Sequence, residues 1–112
     1  MRREERLTRG SQIVAVFERG KVWANEYLVL RAMPNGLNLS RFGFIASKKV
    51  GKKAVVRNRV KRLLREARRA VPVRPGWDVM IVARNRTAEA PYREIEQAMK
   101  SLLQRAGLWE PT

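Results

Sequence analysis

Residues 55–69 read VVRNRVKRLLREARR: seven arginines and lysines and the single acid Glu66. Stepped at about 100° per residue, Val56, Leu63, Leu64, Ala67 and Val71 fall within about 60° of Val60. Asn58, Arg62, Arg65 and Arg69 fall opposite, Lys61 lies part-way round, and Arg57 and Arg59 flank the stripe. The pattern predicts a helix from about Ala54 to Ala70, ended by VPVRPG, whose prolines cannot continue it. A long helix with one apolar stripe has to be laid on another layer, so the chain must fold as helices packed on something.

The sign of the polar face needs a second explanation. A solvated helix gains from acids and bases four residues apart, and like charges at that spacing cost a few tenths of a kcal/mol each. Arg57–Lys61, Lys61–Arg65 and Arg65–Arg69 are all like-charged, and Arg62–Glu66 runs in the weaker order, base before acid. Lys52, Lys53 and Arg57 crowd the helix start, where the dipole disfavours cations. Residues 41–69 hold twelve bases and one acid, a net +11 of the chain's +15. So concentrated a patch, continuous with the glycine-containing loop KKVGKK (48–53), reads as a surface for a polyanion: nucleic acid first, an anionic membrane second.

Composition removes much else. There is no cysteine, hence no disulfide or thiolate chemistry, and no histidine, the commonest general base. MRREERLTRG lacks the apolar core of a secretory signal, no apolar run approaches a membrane span, and the tail LWEPT carries no lipidation motif. A soluble, cytoplasmic protein of one domain over 1–112, with its core at about 7–107, is expected.

Elsewhere the coarse pattern is mixed. Ser11 is placed to cap a short helix carrying Ile13, Val16 and Phe17, with Gly20 as a left-handed stop. VWANEYLVLRAM (22–33) reads as strand, long enough to bend or split, and PNG (34–36) as a turn. RFGFIAS (41–47) reads as a second strand antiparallel to the first. WDVMIVAR (77–84) is apolar on both faces, as in a sheet interior. In residues 90–107, Tyr92, Ile95, Met99, Leu102, Leu103 and Ala106 line one stripe, with Gly107 ending the helix. The expected class is α+β (an α/β-type two-layer arrangement): a small mixed sheet packed with three helices, in the order α-β-β(-β)-α-β-α.

RFGFIASKKVGKKAVVRNRVKRLLREARR resembles the protein component of bacterial ribonuclease P. The resemblance includes the SKK-x-G loop, the A-V-x-R-N-R-x-K-R-x-x-R helix that carries the family's RNR motif, the D-x-x-I-x-A-R strand, the M-x-x-L-L of the last helix, and F-x-x-G at 17–20. It covers roughly residues 7–107. It implies a left-handed β-α-β crossover, which the general rule would not suggest. It also implies a division of labour: a large RNA subunit hydrolyses the precursor-tRNA backbone with magnesium ions that it mainly binds itself. The small protein binds that RNA and the precursor's 5′ leader, with no membrane and no protein partner required.

The resemblance assigns Arg57, Asn58, Arg59, Lys61, Arg62 and Arg65 to the face meeting the catalytic RNA, with Lys48, Lys49, Lys52 and Lys53 in the adjoining loop. Ile13, Phe17, Tyr27, Leu30, Phe44 and Arg84 fall at or near a leader-binding cleft between the first helix and the sheet. Stacking a base on an aromatic ring is worth about 1–3 kcal/mol and tolerates any sequence, although Phe17 and Phe44 serve equally well as core. Ile13 stands where an aromatic is common, Leu30 where some members have tyrosine, and Asn85 where lysine often follows the arginine. Asn58, a neutral amide amid cations, is a candidate for hydrogen bonds to RNA or contact with a hydrated magnesium ion. Alanine at Arg59 or Arg62 is expected to weaken RNA binding and spare the fold. A general RNA-binding or ribosomal protein is the alternative. A stand-alone metal nuclease would need a carboxylate cluster, which Asp78, Glu94 and Glu96 do not make in sequence.

Overall fold

Seven main elements follow one another in the computed structural model, which describes residues 3–110. They are helix α1 (Gly10–Arg19), strands β1 (Lys21–Ala24), β2 (Leu28–Pro34) and β3 (Arg41–Ile45), helix α2 (Ala54–Ala70), strand β4 (Trp77–Ala83) and helix α3 (Tyr92–Arg105). Short 3-10 turns lie at Arg3–Glu5 and Asn85–Glu89. The order and class are those expected, with helices on both faces of one mixed sheet. The ends of the first segment and of the tail, residues 1–2 and 111–112, lie outside the described residues.

The long strand segment splits at Asn25. Its side-chain oxygen accepts the backbone N–H of Tyr27 at 3.0 Å and of Leu28 at 2.9 Å, and its amide donates to the Ala98 carbonyl at 3.0 Å. An Asx-type turn thus replaces the ladder for three residues.

Strand order is β1-β2-β4-β3, with β2 antiparallel to β1 and β4, and β3 parallel to β4. β3 thus runs antiparallel to β2, as expected, but the two are not neighbours, because β4 stands between them. β4, apolar on both faces, takes the interior position between them, and a strand-helix-strand connection delivers parallel neighbours. β3 lies at the edge, where the N–H of Leu7 donates to the Phe42 carbonyl at 2.9 Å.

Register sorts the side chains into two faces. On one, the rows Leu30–Ile81–Phe44 and Ala32–Val79–Phe42 meet Val60, Leu63, Leu64 and Ala67 of α2 and Ile95, Met99, Leu102 and Leu103 of α3. On the other, Arg31–Met80–Gly43 runs beneath α1, where Val16 and Leu7 close over Met80. Beside it, Val29–Val82–Ile45 forms a row left half-buried.

Two helix-end expectations are also corrected. α1 begins after Arg9 with no side-chain cap, and Ser11 is exposed inside the helix. Gly20 is extended (φ −72°), not left-handed; a Cβ there would sit 2.5 Å from the Val16 carbonyl oxygen, so close approach demands the glycine. Gly107 does end α3 with φ +76°. Among the described residues no helix is long and apolar enough to cross a membrane.

Candidate nucleic-acid interface

The apolar stripe of α2 lies where the wheel puts it: Val60, Leu63, Leu64 and Ala67 are buried, and so is Val71 just beyond. Burying the two leucines contributes about 3–6 kcal/mol. Asn58, Arg62, Arg65 and Arg69 are exposed, and Lys61 is half-buried. In the preceding loop Lys48, Lys49, Lys52 and Lys53 are all exposed, while Val50 is buried and anchors the loop to the core. The two segments thus present one cationic surface, with a shallow hollow of about 740 Å³ lined by Val55, Val56, Asn58, Arg59, Arg62 and Arg65.

Three arginines of the segment turn inward. Arg57 Nη1 donates to the carbonyls of Gly51 at 2.9 Å and Lys52 at 2.7 Å. Arg59 donates from Nη1 to Ala88 O at 3.2 Å and from Nη2 to Ala90 O at 3.4 Å. These contacts give Arg59 a structural part that the expectation of a nearly intact fold in its alanine variant did not include, whereas Arg62 is exposed. Arg68 lies over the Phe42 ring, 4.4 Å from its centroid, with Glu5 at 3.9 Å. Burial pulls its guanidinium below the usual arginine range, partly offset by the charge of Glu5.

A directly held magnesium ion does not fit the surroundings of Asn58, because the hollow is lined by three arginines and no carboxylate. The carboxylates considered for a metal are engaged separately. Asp78 accepts a two-pronged contact from Arg41 at 2.8 and 2.7 Å and a bond from Asn35 at 3.0 Å. Glu94 accepts the Tyr27 hydroxyl, and Glu96 is bonded to Tyr92. Among the described residues no three histidines, cysteines or acids gather as metal ligands.

The six cleft candidates do not form one cleft. Ile13 and Phe17 come together on the α1 face, packed against Leu7, Val16 and Met80. Tyr27 and Arg84 meet at the β1–β2 turn: the Arg84 N–H donates to Tyr27 O at 2.8 Å, and its guanidinium to Asn25 O at 3.0 Å. Phe44 packs on the α2 face, stacked on Phe42 at 6.3 Å. Leu30 is fully buried in that same core. Successive strand residues point to opposite faces, so a one-residue offset exchanges core for surface. Arg31, not Leu30, reaches the α1 side, where it lies 5.2 Å over the Phe17 ring and donates to Phe17 O at 3.3 Å. The half-buried row Val29–Val82–Ile45 on that side went unnoticed in the sequence, although two-residue alternation from Met80 would have pointed to Val82.

The model of the family described as Ribonuclease P matches residues 1–107. The ribonuclease P protein component of Dehalococcoides mccartyi is 43% identical over 106 residues, 95% of this chain and 88% of that one. That of Caldanaerobacter subterraneus subsp. tengcongensis is 42% identical over 107 residues, covering 94% and 91% of the two chains. The solved structure of the Thermotoga maritima RNase P protein superposes with a TM-score of 0.79 at 30% identity, covering 90% of this chain and 96% of that one. With the basic helix, its lysine loop and the mixed sheet behind them, the chain belongs to the ribonuclease P protein family, the protein components of a ribonucleoprotein enzyme of tRNA processing.

Proposed function

We propose that this chain is the protein subunit of a cytoplasmic ribonuclease P, binding the catalytic RNA through the outer face of α2 and the 48–53 loop. The observation that carries the proposal is the single sign of charge on exposed Arg62, Arg65 and Arg69 and on four exposed lysines beside them. Such a face costs helix stability unless phosphates neutralise it. Arginine forks suit two-point phosphate contacts, and the lysines supply compact charge.

The 5′ leader of precursor tRNA is assigned to the α1 side of the sheet. There Ile13 and Phe17, Arg31 and the half-buried Val29–Val82–Ile45 row combine apolar platforms with a cation. Unpaired bases can rest on such a platform without sequence preference. Magnesium, held by the RNA, supplies the chemistry of hydrolysis. The protein's own residues bind and orient, and need neither membrane nor protein partner.

Equilibrium binding separates this reading from a general RNA-binding protein. A ribonuclease P RNA transcript should bind far more tightly than an unrelated structured RNA of equal length. If about six phosphates are contacted, affinity should fall by decades between low and moderate salt. Equal affinity for the two RNAs would favour the general reading.

A further inference from the structure

We infer that Arg57 and Arg59 are positioning residues: they clasp the segments on either side of α2 and leave contact with RNA to Asn58 between them and to the arginines further along. The inference rests on the RNA-binding reading above and deepens it.

The acceptors are backbone carbonyls of the protein. Arg57 holds Gly51 and Lys52, the residues that lead the lysine loop into α2. That loop packs tightly, since a Cβ on Gly51 would meet Val56 Cγ1 at 2.7 Å. Arg59 spans two carbonyls two residues apart, those of Ala88 and Ala90, and so ties α2 to the junction between the 3-10 turn and α3. Both arginines are half-buried, whereas Asn58, Arg62 and Arg65 are exposed. Cationic donors on carbonyl oxygens make charge-assisted bonds, and the two-nitrogen fork of Arg59 has no lysine equivalent.

Four exposed lysines on a loose loop would each have to be ordered when RNA binds, which subtracts from affinity. A clasped loop meets the RNA already arranged. The motif then alternates by role: inward arginine, outward amide, inward arginine.

The test compares R57K, R57A, R59K and R59A with R62K and R62A in the full chain. In RNA-free protein, R57K should speed amide exchange about tenfold at Val50 and Val56, whose N–H groups bond Ser47 O and Lys53 O. R59K should do so at Thr87 and Ala90, which bond Arg84 O and Thr87 O. Both lysine variants should bind a ribonuclease P RNA transcript severalfold more weakly, with the salt slope of the parent. R62K and R62A should leave exchange as in the parent, because Arg62 is exposed, and R62A should lower the slope by about 0.7–0.9.

Parent-like exchange and affinity in R57K and R59K, with a reduced slope in R57A and R59A, would make both arginines phosphate contacts and overturn the inference. So would faster local exchange with unchanged affinity, or exchange raised throughout the chain. Failure of the parent to bind the transcript would instead remove the functional reading, while the RNA-free exchange would still decide whether the clasps exist.

Discussion

At the scale of single residues, burial and partners matter more than residue type. Asp78 and Arg41 form a mostly buried pair, and bonding to Asp78 raises the Arg41 guanidinium further above its usual range, against the opposing effect of burial. The chain's two tyrosines are a direct probe of such effects. The Tyr92 hydroxyl is pushed up to about 12 by desolvation and then by its bond to Glu96. The Tyr27 hydroxyl is raised as well, chiefly by its hydrogen bond to Glu94. A raised folded value means the unfolded chain loses its protons first. The stabilisation from Tyr92 is therefore complete below about pH 10 and is lost as pH climbs toward 12. Ultraviolet titration of the native protein should show both phenols ionising above the usual tyrosine value, Tyr92 last. In denaturant both should return to about 10. Native ionisation of both near 10 would contradict the packing described for them.

At the scale of elements, α2 was the most legible part of the chain. Its six-residue stripe and the following prolines set both ends, and its buried residues follow the wheel. Strand pairing was not legible, because nothing local to β3 says that β4 will come between it and β2. Of the residues assigned to a leader cleft, Ile13 and Phe17 do lie together on the α1 face, whereas Leu30 is buried on the opposite face and its neighbour Arg31 takes the α1 side. The inward turn of Arg57 and Arg59 was hidden because a long side chain near the edge of a stripe can reach either way.

Two variants test elements. Arg65→Glu converts two like-charged pairs on α2, Lys61–Arg65 and Arg65–Arg69, into pairs of opposite charge. Chemical denaturation should show stability unchanged or raised by about 0.2–0.5 kcal/mol per pair, while RNA affinity falls. Lower stability together with unchanged affinity would show that the face is solvated and nothing more. Gly20→Ala would drive a Cβ into the Val16 carbonyl where α1 hands over to β1. The expected loss is about 1–3 kcal/mol, read as a lower denaturation midpoint with no change in slope.

At the scale of the whole molecule, the sheet separates two tasks. One face carries α2 and α3 and nearly all of the large apolar core, which makes α2 a firm mount for its outer charges. The other carries only α1 and leaves a strip of sheet half-open beside it. Net +11 of the total +15 sits in residues 41–69, so the charge belongs to one region of the chain. So concentrated a cationic surface is suited to a polyanion, which the proposed function takes to be the catalytic RNA. The measurement closest to this claim is reconstituted cleavage of a precursor tRNA at low magnesium, using ribonuclease P RNA with and without the protein. The account predicts that the protein stimulates release of the 5′ leader, that Arg62→Ala/Arg65→Ala loses most of that stimulation, and that the protein alone cleaves nothing. Cleavage by RNA-free protein, or no stimulation by the parent chain, would contradict it.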